Sequence, residues 1–431
     1  MKLLSIFFLS VLGSVTFAEN EKLVVHEWGT FTSLQDESGR TLGGINSDDE
    51  SLPKFTHDID HLLVLKQNAL PPSFYQGAPQ ALPRVTMRLE TPVIYFYPAR
   101  NSSIPLVLDL TVAFRGGWLT RYYPEAQVDA PGAFSELTPS TLGKASWRGL
   151  RIGVTNTGPA TTEHVWTAPR AVNAAAVLTA HGECEKFLFY RGVGNLNAPL
   201  RLVRDETSRR LSMFSQLDSR AGLGSPLSIQ HLWLASFQTN SSAFRRLEAI
   251  SLKKESTNEL LSTAATFREN EYGPDNLNKL RAEMRGALVS EGLFADEADA
   301  LLSTWELSYF KSAGLRLFFL LPRAWTDDRL PLEISVPAEI RRVMVGRIEL
   351  VTPEQRTLLR QLAEAPIPKE AWARRQMEAG KPVIRGTMPA AYRDLGRFRN
   401  ALVLDEIQRR ETMALRMFVL LNGLDNYRVE E

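Results

Sequence analysis

Ile104-Pro105-Leu106-Val107-Leu108-Asp109-Leu110-Thr111-Val112-Ala113-Phe114 puts an apolar side chain at every even position, while Asp109 and Thr111 take the odd face. Successive side chains of an extended chain point to opposite sides, so this period of two predicts a strand with one face on a core. Outward from it, shorter runs of similar character lie at 85–97, 150–154, 172–180, 186–191, 199–204, 210–216, 228–237 and 245–252. Turn-forming residues such as Asp205-Glu206-Thr207-Ser208 separate them, and no amphipathic helix intervenes. The pattern predicts an antiparallel β-sandwich-like N-terminal domain over residues 22–252.

The polar stretch from Lys253 to Asn258 marks the expected boundary, and the pattern changes after it. Leu277, Leu280, Met284 and Leu288 form one helical stripe, opened by Pro274-Asp275 and ended at Gly292. A second helix is expected from Asp296 to Phe310, then strands at 315–321, 330–336 and 341–351. Thr352-Pro353-Glu354-Gln355 combines an N-cap threonine, proline in the first turn and glutamine three residues after the cap, which predicts a helix start. Residues 259–431 thus read as an α+β region ending in long helices, and the whole chain as mainly β plus α+β.

The first 18 residues read differently. Lys2 precedes the apolar run Leu3 to Phe17, Thr16 and Ala18 are small residues at the −3 and −1 positions, and Glu19-Asn20-Glu21 turns polar. This is the pattern of a secretory signal peptide cleaved after Ala18. The expectation is an exported protein with no transmembrane span in its mature chain, placed in the periplasm ahead of the extracellular space. Lysine plus arginine (50) nearly cancels aspartate plus glutamate (49), so no electrostatic footprint for nucleic acid exists. Cys184 is the single cysteine, which excludes an internal disulfide. Flanked by Glu183 and Glu185, it reads as structural, because neighbouring carboxylates raise a thiol pKa.

Motifs with specific chemistry are few. The sequence has no G-x-S-x-G elbow, no H-E-x-x-H and no phosphate loop, and Gly192-Val193-Gly194 leads into a strand where a dinucleotide loop needs a helix. Three of the six histidines lie early. His57 and His61 are four apart, which places them on one face of either a helix or a strand, and His26-Glu27 adds an imidazole and a carboxylate. These four are metal candidates for zinc or a similar divalent ion, and an open coordination position would make the site a metal-dependent hydrolase. The competing reading is that they are ordinary polar residues of strands and surface. Arg115, Trp118, Arg121, Tyr122 and Arg191 bring guanidinium groups beside aromatic rings at strand ends, which suits a glycan, a peptide or an envelope protein. Same-face ion pairs are expected for Arg88 with Glu90 and Arg347 with Glu349. Asp327-Asp328 reads as a solvated turn before a calcium site.

Several strings resemble a set of uncharacterised exported bacterial proteins: VVHEWGTFTSL (24–34), RLETPVIYFYP (88–98), EKFLFYRGVG (185–194), GLRLFFLLPRAWTD (314–327), LPLEI (330–334) and VMVGRIELVTP (343–353). The resemblance spans most of the mature chain and implies export, but no activity, cofactor or catalytic residue. Without a visible nucleophile–base pair, the leading expectation is a ligand-binding or envelope-associated module. The metal-dependent hydrolase is the alternative.

Overall fold

The computed structural model describes residues 22–47, 51–59, 74–75, 78–79, 81–100, 104–129, 137–217, 223, 226–365 and 390–421. Its main strands begin with β1 (Leu23–Gln35), β2 (His57–Asp58), β3 (Met87–Tyr97), β4 (Leu106–Arg115), β5 (Gly117–Tyr123) and β6 (Leu142–Val154). They continue with β7 (Ala176–Leu178), β8 (Cys184–Glu185), β9 (Leu188–Gly194), β10 (Leu200–Asp205) and β11 (Arg210–Ser215). The remainder are β12 (Leu232–Phe237), β13 (Ser242–Leu247), β14 (Glu259–Ala264), β15 (Gly314–Leu320) and β16 (Ala338–Leu350). The helices are α1 (His164–Arg170), α2 (Asn276–Ser290), α3 (Ala295–Thr304), α4 (Arg323–Arg329), α5 (Pro353–Glu364), α6 (Arg399–Arg409) and α7 (Met413–Leu421).

One large mixed sheet dominates, with the order β8-β7-β6-β5-β9-β3-β1-β16-β15-β12-β13. At its centre β1 runs antiparallel to β3 and parallel to β16, from Leu23 opposite Ala338 to Gln35 opposite Leu350. Residues on both sides of the 253–258 stretch therefore share one sheet. β1 is buried at all 13 positions, so it lacks the polar alternation of a half-exposed strand. β4 keeps that alternation. Leu108, Leu110, Val112 and Phe114 are buried, whereas Val107 is largely exposed.

The sheet curls back on itself. Phe31 of β1 meets Phe114 of β4 at 6.1 Å, and Tyr190 of β9 meets Trp147 of β6 at 6.5 Å, although neither pair of strands is adjacent. One core fills this fold. A second lies on the other side of the central strands, where α2 and α3 cover Trp28, Tyr95, Phe189, Trp233 and Phe318 with Leu280, Met284, Leu288 and Leu301. The architecture is strand-rich α+β with extensive antiparallel pairing, built on a curled mixed sheet where the sequence suggested a sandwich. A separate three-stranded sheet, β10-β11-β14, stands beside it.

Two local features set up the site. Thr352 and Gln355 close the capping box at the start of α5: Gln355 N–H donates to Thr352 Oγ1 at 3.3 Å, and Thr352 N–H donates to Gln355 Oε1 at 2.9 Å. α3 is followed by a π-helical turn, Glu306–Lys311, which places Ser308 and Tyr309 against the sheet. α1 falls within the span read as strands. Its seven residues are too short to print a helical period, and burial of Trp166 against Phe187 and Phe189 anchors it. No described helix is long and apolar enough to cross a membrane.

Candidate functional site

The metal candidates go to three different places. His26 and Glu27 are consecutive on β1 and so project to opposite faces of the sheet. His26 Nδ1 lies 2.7 Å from Glu297 Oε2, beneath the Phe294 ring at 4.6 Å. Glu297 also accepts from Tyr97 Oη at 2.9 Å and from the Phe294 N–H at 2.7 Å, so it ties the first turn of α3 to the sheet. Glu27, on the other face, accepts hydrogen bonds from Tyr190 Oη and Arg342 Nε. His57 stacks on Tyr122 at 5.5 Å, and its Nε2 lies 2.8 Å from Glu183. His61 lies outside the described residues. Among the described residues, no group of three or more His, Cys, Asp or Glu is placed to hold a metal ion. The reason is directional, since each of the three described side chains is already turned to a partner of its own. Asp327 and Asp328 likewise pair with Arg342 and Arg115. Cys184 is buried, and its Sγ–H donates to the Asn156 carbonyl at 3.2 Å. Burial, and then Glu185, push its thiol up to about 11.

The five residues read as a ligand surface do not form one patch. Arg115 is exposed beside Asp328, 3.5 Å away. Trp118 is sealed in the core within the curl. Arg121 pairs with Asp58 at 2.7 Å, and Tyr122 is covered by His57. Arg191 sits opposite Arg121 in the β5–β9 register but is fully buried. Its Nε–H donates to Thr91 Oγ1 at 3.0 Å, and its guanidinium lies over the Trp305 ring at 5.6 Å. Thr91 holds this position at φ 43°, a left-handed conformation that costs a β-branched residue energy.

Arg191 belongs to a larger assembly. Arg88, Arg191, Arg316, Arg347 and Arg397 are all at least nine-tenths buried, together with Glu90 and Glu349. The register creates it: Thr32 of β1 lies opposite Arg88 on one side and Arg347 on the other, Thr30 lies opposite Glu90, and Arg316 lies opposite Glu349. Glu90 is shared by Arg88 at 3.3 Å and Arg397 at 2.6 Å. Glu349 is shared by Arg316, at 3.3 Å, and Arg347. The pairs expected from strand alternation are thus present, each with a second arginine added. Arg316 and Arg347 also donate to the Ser308 carbonyl at the π-helical turn, at 3.0 and 2.7 Å. Arg316 Nη1 reaches the Tyr309 carbonyl at 2.6 Å as well.

A cleft of about 340 Å³ opens at the edge of this cluster. β12 supplies Ser236 and Phe237, and the chain beyond β14 supplies Thr266, Phe267 and Tyr272. Gly314 and Leu315 of β15 form one wall, and Thr352, Glu354 and Gln355 at the start of α5 form another. Arg204, Gln238 and Asp394 complete the polar lining. Tyr272 is held by Ser236, with 2.9 Å between hydroxyls, and edges Phe267 at 6.2 Å. Gln355 is fixed by the capping box and by donating to the Leu395 carbonyl at 2.9 Å. Gly314 sits at φ 140°, and a Cβ there would lie 3.3 Å from Arg316 Nη2. The missing side chain leaves Arg316 Nη2 and Glu349 Oε2 close beneath the cleft wall.

Strand periodicity misses this site because its lining comes from six separate segments. One signal was present: Arg316 interrupts the apolar run LRLFFLL and Arg347 the run VMVGRIELV, and an arginine inside a run buried on both faces marks a guanidinium that must find partners indoors.

No family model matches this chain, and no curated protein matches it. Among solved structures, the Fcho1 Mu homology domain of Danio rerio with bound Eps15 peptide is similar at 8% identity and a TM-score of 0.29, over 78% of this chain and 97% of that chain. The yeast delta-COP-I mu-homology domain complexed with Dsl1 WxWxV peptide is similar at 9% identity and a TM-score of 0.27, over 78% of this chain and 98% of that chain.

Proposed function

We propose that this chain is an exported binding protein that seats a saccharide-type ligand in the cleft between β12, β15 and the start of α5. The observation that carries this reading is the lining of the cleft. The aromatic side chains of Phe267 and Tyr272 line a volume of about 340 Å³ together with amide and hydroxyl side chains (Gln238, Thr266, Thr352, Gln355), and Arg245 lies over the Phe267 ring at 4.1 Å. Small-ligand pockets occupy roughly 300–1,000 Å³ and combine apolar walls with a few fixed polar groups. Sugars offer both partners: C–H faces that stack on rings, and hydroxyls that exchange hydrogen bonds with amides. The polar groups are preorganised, since Gln355 and Tyr272 are each held by neighbours before any ligand arrives, which lowers the ordering cost of binding.

Calorimetric titration of the purified protein with soluble neutral oligosaccharides tests this. Binding is expected, and Tyr272→Ala should weaken it at least tenfold while leaving the denaturation midpoint little changed, because Tyr272 is only half-buried. Absence of binding across the panel, or binding untouched by Tyr272→Ala, would remove the cleft as the site. Export supports the same role by placing the cleft among extracytoplasmic glycans. N-terminal sequencing of the product expressed in a bacterial host should begin at Glu19, and a product that retains Met1 would count against export.

A further inference from the structure

We infer that Arg245 is the positioning residue of the cleft's aromatic wall, ordering Phe267 and the chain around it before a ligand arrives. The inference rests on the cleft reading and adds a residue that is not part of the lining. Arg245 stands on β13 opposite Leu234 of β12, so it leaves the sheet on the same face as Ser236. Its guanidinium donates to the Ala264 carbonyl at 2.9 Å and to the Thr266 carbonyl at 2.8 Å. Nε–H and Nη2–H also donate to Glu271 Oε1, at 3.0 and 2.8 Å, and the guanidinium lies over the Phe267 ring. One side chain thus fixes the carbonyls on either side of Ala265, the ring of Phe267 and the carboxylate of Glu271.

These contacts matter because Ala265, Thr266, Phe267 and Tyr272 line the cleft, while the chain that carries them is irregular except for the short turn Glu269–Glu271. At one end of this stretch Ala265 N–H donates to the Arg209 carbonyl at 2.9 Å, and at the other Gly273 and Ser242 exchange backbone hydrogen bonds. Between them, Glu271 accepts from the Arg268 N–H at 2.7 Å, so the carboxylate that Arg245 holds is itself tied to the turn. Tyr272 meets Phe267 edge-on and is fixed to β12 by Ser236. Two neighbouring strands therefore clamp the aromatic pair, β12 through Ser236 and β13 through Arg245. The role suits an arginine, whose planar guanidinium lies on a ring while its fork donates in several directions. The Arg245–Glu271 ion pair is partly exposed and adds little to global stability. What Arg245 supplies is local order, which lowers the cost of binding.

The test combines hydrogen exchange with titration by malto- and cello-oligosaccharides, on the full chain and on its Arg245→Met variant. In the variant the amides of residues 266–272 are expected to exchange about tenfold faster, while those of β12 and β15 keep their protection. Oligosaccharide binding should weaken about tenfold, because the ordering cost is then met at the moment of binding. Saturating oligosaccharide should restore the lost protection, which a role in global folding would not produce. Arg245→Lys, which keeps the charge without the fork, should recover only part of each effect. A variant that binds like the parent, or that loses protection evenly across the sheet, overturns the inference. If the parent binds no oligosaccharide, the cleft reading falls. The exchange measurement needs no ligand and still decides whether Arg245 orders this wall, and unchanged exchange at residues 266–272 overturns it.

Discussion

Arg342→Met is expected to destabilise this protein by about 3–5 kcal/mol, the range for breaking one partner of a buried ion pair. Arg342 and Glu27 sit on neighbouring central strands, β16 and β1, in direct register, with side chains 1% and 0% exposed. Glu27 accepts from Arg342 Nε and Tyr190 Oη, and Arg342 Nη1 reaches Asp327 at 2.9 Å. Burial opposes the charge on Arg342, but Glu27 first, then Tyr190 and Asp327, hold its pKa above the ordinary arginine value. Removing the guanidinium leaves a carboxylate in the core with one neutral donor, and water cannot reach it. The double variant Glu27→Leu/Arg342→Met removes both charges and should recover most of the loss, because well-packed apolar pairs commonly match buried ion pairs. Urea denaturation of the single and double variants measures this. A single variant within about 1 kcal/mol of the parent would show that Glu27 is solvated or protonated without Arg342.

Legibility of the fold followed solvent. β4 was readable from its alternation because one face meets water: Leu108, Leu110, Val112 and Phe114 are buried and Leu106 half-buried, whereas Ile104, expected on the same face, precedes the strand and is 58% exposed. β1 and β16 form the middle of the sheet and are covered on both faces over most of their length, so nothing in their sequence says which strand lies beside which. Their parallel pairing joins residues more than 300 positions apart, and local pattern carries no such information. The capping box at Thr352–Gln355 was legible because both halves of its hydrogen bonding lie within four residues. The same logic divides the candidate sites. Arg347 with Glu349 and Arg88 with Glu90 were legible as same-face neighbours two residues apart. The partner of His26 is Glu297, separated by 271 residues, and so the histidine alone suggested a ligand where the fold makes a strand–helix tie. The cleft was illegible for the same reason, since its lining meets only after the sheet has closed.

Arg356→Met is expected to cost a comparable 3–5 kcal/mol at pH 7, but to act on one corner of the molecule and to carry an inverted pH signature. Arg356 of α5 is 4% exposed and bonds three carboxylates: Glu37 just past β1 at 2.5 Å, and Asp405 and Glu406 of α6 at 2.8 and 2.7 Å. Arg40, Arg360 and Arg409 complete the network from outside. Burial alone raises the pKa values of Glu37 and Glu406, yet the hydrogen bonds and charge of Arg356, joined by a backbone hydrogen bond and Arg409 at Glu37 and by Arg360 at Glu406, outweigh it and leave both lowered. A carboxylate with a lowered folded-state pKa contributes stability above its unfolded value, near 4.5 for glutamate, and loses it as pH falls through the folded value. The parent should therefore weaken below about pH 4.5. Without Arg356, three crowded carboxylates repel one another, so protonation relieves the variant over the same interval. The gap between parent and variant should narrow from pH 7 to pH 4. Because α6 is anchored through this network, its amides should lose hydrogen-exchange protection in the variant while those of β1 and β3 keep theirs. A gap that is constant with pH, or protection lost evenly across the sheet, would mean that Arg356 contributes through packing and that its ion pairs do not hold α6 in place.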